Sequence, residues 1–177
     1  ETLLFDSKNL DKSTPELREM NKFLGKPLAV LRLDRFGRTH GVKLGPPARY
    51  EPEPPFVLVL PSAAPKESQA WLRPFSVTLE PPLGAGGKHP AQHRFTCKKI
   101  EGNQATVTLA TEFTKMPDAP QDQLPLLQKA TEGEVTFDIA NGRMTRAQLN
   151  INKMVENHQG AGSSYHLVSG YTEELTP

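Results

Sequence analysis

Very little in this sequence advertises chemistry. It has one cysteine, Cys97, in the alternating run "HRFTCKKI". A lone cysteine makes no internal disulfide, and with no Cys or His at metal spacing it reads as a buried apolar thiol. Charge of one sign is lacking too: 21 basic and 20 acidic residues are mixed along the chain, for a net +1. That balance gives no footprint for nucleic acid or an anionic membrane. No apolar run approaches the roughly 20 residues needed to span a bilayer as a helix, and no leader-like segment opens the chain. The five histidines, His40, His89, His93, His158 and His166, show no ligand spacing, so no metal or cofactor is expected.

What is present describes a soluble globular fold. With 177 residues, 36% of them hydrophobic and 23% charged, the chain suits a single β-rich domain with a real core. Seven of its 17 prolines fall between Pro46 and Pro65. Proline fixes φ and removes a ladder donor, so 45–65 is expected as an extended crossover with a short buried strand at Phe56–Leu60.

Three hairpins are written into the alternation. In "EGEVTFDIANGRMTRAQLNI" a two-residue turn at Asn141-Gly142 sets Phe137 against Arg146 and Val135 against Gln148. A three-residue loop pairs Ile139 with Arg143 and Val135 with Ala147, and Leu149 and Ile151 continue the apolar face. Directly opposed residues share a face, so the pattern favours the longer loop. In "HRFTCKKIEGNQATVTLATEF" the loop Glu101-Gly102-Asn103 pairs Ile100 with Gln104, Cys97 with Val107 and Phe95 with Leu109, with Asn103 left-handed. In "PLAVLRLDRFGRTHGVKL" the loop Arg35-Phe36-Gly37 pairs Val30 with Val42 and Leu28 with Leu44. "STPELREMNKFLG" is the best helix, with a Ser/Thr cap, Pro15 in the first turn and Leu17, Met20 and Leu24 on one face. "QDQLPLLQKA" allows a helical turn limited by Pro125. "TLLFDS", "RPFSVTLE" and "SSYHLVSGYTEE" read as strands. The expected architecture is mainly β: a curved antiparallel meander or half-barrel of about eight or nine strands, with one packed helix.

Candidate sites each meet a plainer reading. "PPLGAGGKHP" lacks the first glycine and the Ser/Thr of a phosphate loop, and Pro90 blocks the helix that should follow, so it is a turn. Glu51 and Glu53 offer too few oxygens for calcium and read as solvated. In "ENHQGAGSSYHL", His158, Gln159, Ser163, Ser164 and His166 gather at a glycine-rich hairpin tip. Ser164 and His166 share a strand face, yet no nucleophile elbow accompanies them. A polar binding loop is the stronger reading, and no catalytic residue is assigned. Phe137, Leu149 and Ile151, with aromatics such as Trp71, Phe75, Phe95, Phe113, Tyr165 and Tyr171, are compatible with a concave apolar face for a lipid-like ligand or with ordinary core.

Taken in order, "LLFDSKN", "LGKPLAVLRLDRFGR", "KHPAQHRFTCKKIEGNQATVTL", "EGEVTFDIANGRM" and "HQGAGSSYHLVSGYTEEL" resemble an uncharacterised group of exported β-rich bacterial proteins of planctomycete type. The loop at "APKESQAWLRPF" departs from the group, which has a Gly ahead of the Trp. The resemblance implies an extracytoplasmic location and an N-terminal half before "LLFDSKN", making this the C-terminal portion. It carries over no activity. Two functions follow as expectations: a non-catalytic binding or assembly module using sheet edges and end loops, with strand Thr2–Ser7 or Tyr165–Thr172 pairing with a protein partner or a second copy; or a half-barrel carrier of a lipid or other apolar ligand, by analogy with bacterial lipoprotein carriers.

Overall fold

The computed structural model describes residues 4–27, 30–44, 58–79, 81 and 86–175. The proline-rich stretch at 45–57, with Glu51 and Glu53, lies outside the described residues, as do Thr2, Leu28 and the glycine-rich turn at 82–85. The chain divides into two compact units, Glu1–Glu53 and Pro54–Pro177.

The first unit corrects two expectations. Leu4–Ser7 forms no strand. It is clasped instead by the following turn: Leu4 N donates to Thr14 Oγ1 at 2.8 Å and Asp6 N to the buried Ser13 Oγ at 2.8 Å. The helix over "STPELREMNKFLG" shrinks to one α turn, α1 (Pro15–Arg18), followed by a 3-10 stretch at Glu19–Phe23. Met20, Phe23 and Leu24 remain 46–49% exposed, so the apolar face lacks the packing that normally sustains a short helix. Strands β1 (Val30–Leu33) and β2 (Thr39–Leu44) make the expected hairpin. Asp34 Oδ1 accepts from Phe36 N at 2.8 Å and Arg38 N at 2.9 Å, and Gly37 takes the left-handed position at φ 79°. Leu33 pairs with Thr39 as the loop requires, but two register shifts then set Val30 against Leu44 rather than Val42.

The second unit is an antiparallel meander of six strands in sequence order. They are β3 (Ala70–Leu79), β4 (Gly87–Glu101), β5 (Gln104–Phe113), β6 (Glu132–Asp138), β7 (Arg143–Glu156) and β8 (Ser164–Glu174). Helix α2 (Pro120–Leu127) connects β5 to β6. The mainly β, unclosed architecture is therefore the one the alternation implies, and within this unit the helix on the sheet is α2. Of the stretch expected to be a turn, Gly87–Pro90 open β4 instead.

Both large hairpins hold the core register and miss at the tip. Cys97 pairs with Val107, Phe95 with Leu109 and Val135 with Ala147, as the apolar pattern demands. At the β4–β5 tip, however, Glu101 pairs with Gln104, and Gly102, not Asn103, has positive φ, at 58°. At the β6–β7 tip Asp138 pairs with Arg143, because Ile139 N is held by Asn103 O at 2.8 Å and Asp138 binds Asn141 through backbone and side chain. One extra residue in each ladder, Lys98 and Thr145, restores the buried register.

One face of the meander is covered. Phe95, Val107, Leu109, Val135, Ala147 and Leu149 pack with Leu58, while Val77 and Leu79 of β3 pack with the fully buried Leu126 of α2. Leu58 and Val59 are buried without joining a strand, and Val59 O accepts from Trp71 Nε1 at 2.7 Å. Phe56 lies outside the described residues. Helix α2 also packs on β7. A helix of eight residues is about 12 Å long, and strands sit about 4.8 Å apart, so reaching β3 and β7 together requires the sheet to curl around it. Gly133 permits this closure: a Cβ there would meet Gln148 O at 2.1 Å and Leu149 Cα at 2.8 Å.

Candidate functional site

The site starts with the last hairpin, where eleven pairs join β7 to β8 and fix which side chain faces where. Val155, Lys153, Ile151 and Leu149 oppose Tyr165, Leu167, Ser169 and Tyr171, so these four β8 residues extend the covered face. Met154, Asn152 and Asn150 oppose His166, Val168 and Gly170 on the other face. The cover stops before β8. Of its residues only Leu167 is half-buried, and Tyr165 (39%), Val168 (67%) and Tyr171 (37%) are exposed, as is Met154 (59%) beside them. Among the described strands β8 has a neighbour on one side only, β7.

The tip at 157–163 is closed by its own hydrogen bonds. Asn157, left-handed at φ 58°, accepts from Gly162 N through Oδ1 at 2.9 Å. Ser163 Oγ accepts from Gln159 N at 2.9 Å and donates to Gly160 O at 2.8 Å. The His158 ring stands edge-on to Tyr165 with centroids 5.6 Å apart, and its buried Nδ1 has no partner. The tip is thus a preshaped buttress for the start of β8.

The structure gathers five of the expected binding residues, His158, Gln159, Ser163, Ser164 and His166, at one end of this hairpin. It does not bring them into a catalytic relation. The Ser163 hydroxyl is engaged with the loop backbone, and His166 Nε2 lies 2.7 Å from Asn152 Oδ1. With the amide oxygen accepting, that ring nitrogen carries the proton. Phe137, Leu149 and Ile151 sit apart from the tip. Leu149, 2% exposed, belongs to the packed core, Phe137 packs against it, and Ile151 is half-buried.

Sequence reasoning offered Tyr165 and Tyr171 as concave-face or core aromatics and did not single out Val168, whereas all three are exposed. The signal was there: "YHLVSGY" places apolar side chains on both parities, so no single covered face accounts for the strand.

A second polar feature lies on the concave face. Arg73, His93 and Thr111 stand opposite one another across β3, β4 and β5, between the two apolar clusters. His93 is 2% exposed and lies 4.3 Å from the Phe75 ring and 6.0 Å from the Phe95 ring, and its Nδ1 has no partner. Burial, aided by the Arg73 charge, pushes its pKa down to about 4. Cys97 is fully buried, and burial, aided by Glu67, raises its thiol pKa.

Among the described residues, no three His, Cys, Asp or Glu side chains gather as metal ligands, and no helix is long and apolar enough to cross a membrane. No family model, no curated protein and no solved structure matches this chain.

Proposed function

We propose that this chain is a non-catalytic binding or assembly module that takes up a partner polypeptide along β8. The observation that carries the reading is an eleven-residue outer strand whose faces are both largely uncovered and which bears Tyr165, Val168 and Tyr171. Strand addition draws affinity from main-chain hydrogen bonds and specificity from alternate side chains, so it requires no special functional groups. The self-bonded tip at 157–163 holds the first residues of that edge in place before any partner arrives. An extracytoplasmic setting is part of the proposal and rests on the sequence resemblance alone. The other expected edge, Thr2–Ser7, drops out, because Leu4–Ser7 is not a strand.

A second reading, carriage of a lipid or other apolar ligand, has one observation in its favour: His93 Nδ1, buried and unpartnered on the concave face. Against it, Leu149 and Phe137 are spent on core packing rather than left facing a cavity. Native mass spectrometry of the protein purified from its own host separates the two. The edge reading predicts a complex with a polypeptide that Val168→Lys weakens. A monomer with a lipid-sized adduct, unaffected by that substitution, overturns it in favour of carriage.

A further inference from the structure

We propose that Asn141-Gly142, at the β6–β7 tip, is a site of spontaneous modification, where the Asn141 carboxamide is converted to aspartate and isoaspartate at a rate that Asp138 restrains. The site is independent of the β8 reading.

Among the asparagines of the chain only Asn141 precedes a glycine. In this reaction the backbone nitrogen of the following residue attacks the side-chain Cγ, and a glycine there has no Cβ to obstruct the approach. The bond from Gly142 N to Asn141 Cγ forms and the Cγ–Nδ2 bond breaks. The departing nitrogen takes up the proton that Gly142 N gives off and leaves as ammonia. Water then adds to either carbonyl of the cyclic imide and opens it to an aspartyl or an isoaspartyl link. One water is consumed and one ammonia released, with no oxidant or reductant.

The structure leaves the pair open to this chemistry. Residues 139–143 are all exposed, and a Cβ at Gly142 would meet nothing within 4 Å. Asn103, equally exposed at the neighbouring tip, precedes Gln104 of β5, whose Cβ obstructs the same attack.

Asp138 acts as a positioning residue. Its Oδ2 accepts from Asn141 Nδ2 at 2.6 Å and its Oδ1 from Asn141 N at 3.0 Å, so one carboxylate ties the side chain to its own backbone. The side-chain and backbone hydrogen bonds from Asn141 hold the Asp138 carboxyl below the usual carboxylate range, so it is ionised at neutral pH. An ionised acceptor on Nδ2 pushes electron density toward Cγ and dulls it as an electrophile. It also has no proton to give the departing nitrogen. Conversion would undo the clamp, because a second carboxylate oxygen would stand where Nδ2 donated. Ile139 N, held by Asn103 O at 2.8 Å, is the next contact along and reports that loss.

The test uses the purified chain, aged in neutral buffer, digested and mapped for aspartate and isoaspartate. Asn141 is expected to convert ahead of every other asparagine. Asp138→Ala should speed conversion about fivefold, the factor that losing one ordinary hydrogen bond gives. In urea that unfolds both chains the two rates should coincide, because the clamp exists only in the folded tip. If circular dichroism shows Asp138→Ala unfolded, Asp138→Asn replaces it, with a smaller acceleration expected from an uncharged acceptor. Asn141→Asp, which carries the aspartyl product's charge, should speed hydrogen exchange at the Ile139 amide. An unconverted Asn141 in the folded chain, faster conversion at Asn103, or a folded Asp138 variant that converts at the parent's rate overturns the inference. So does an acceleration that persists in urea, or an Ile139 amide indifferent to Asn141→Asp.

Discussion

The two outer strands of the six-stranded sheet, β3 and β8, look equivalent in hydrogen bonding. Each forms a long ladder with one neighbour, and among the described residues each has a free side. Their surroundings differ. On β3, alternate side chains are covered: Val77 and Leu79 lie under Leu126, and Trp71 stacks on Phe95 with ring centroids 5.5 Å apart. Its free edge is blunted by Pro74, which has no N–H to offer an incoming strand. On β8 only Leu167 is half-buried, the other side chains are exposed, and no proline interrupts the strand. Pairing places a strand in a sheet; only cover makes it part of the core. A paired strand with exposed Tyr165 and Val168 is the feature on which the proposed strand addition rests.

The comparison can be broken first at its hinge. Gly133 lies in the row Leu109–Gly133–Leu149–Tyr171, which leads from the covered strands out to β8. Gly133→Ala forces a methyl against the backbone of β7 and should cost about 3–5 kcal/mol, read from denaturant midpoints. A cost below about 1 kcal/mol would mean that β7 closes on β6 less tightly than described.

Next comes the cover itself. Leu126→Ala removes a fully buried side chain from the α2–β3 contact and should cost about 2–4 kcal/mol, whereas Val168→Ala on β8 should change monomer stability by less than about 0.5 kcal/mol. Similar costs at the two sites would erase the distinction between the edges.

A smaller effect comes from His93 on β4, where it pairs with Arg73 of β3. Its folded pKa of about 4 lies below the ordinary 6.5, so the fold resists its protonation. Above pH 6.5 the group is neutral in both states and costs nothing. As pH falls from 6.5 toward 4 the unfolded chain gains a proton that the folded chain refuses, and stability declines. The decline should be about 2 kcal/mol between neutral pH and pH 5. Urea titrations of the parent and of His93→Leu should diverge over this interval, with the shallower slope in the variant. Parallel slopes would show that His93 charges without penalty.

Much of the fold could be read from the alternation, because burial on one face fixes register wherever apolar residues oppose each other. Cys97–Val107, Phe95–Leu109 and Val135–Ala147 are such pairs. The tips escaped because nothing apolar constrains them. There Asp138 capping Asn141, and Gly102 taking positive φ, select other turns, and Lys98 and Thr145 absorb the difference. The helix at 13–25 failed because propensity and capping cannot sustain a short helix whose face stays exposed. Of the site, the end loop was legible as a glycine-rich polar cluster. Tyr165–Thr172 was legible as one of two candidate pairing strands, but its exposure was not, since sequence shows which residues alternate and not where the cover ends. The Arg73–His93–Thr111 row depended on strand neighbours that no local pattern reveals.

In the proposed function a partner polypeptide covers β8. Backbone hydrogen exchange tests this most directly, on host-purified material before and after its partner is stripped. Stripping should deprotect Ser164–Thr172 while β3 and α2 keep their rates. Protection lost instead around His93, Trp71 and residues 58–60, with β8 unchanged, would contradict it and place the binding surface on the concave face.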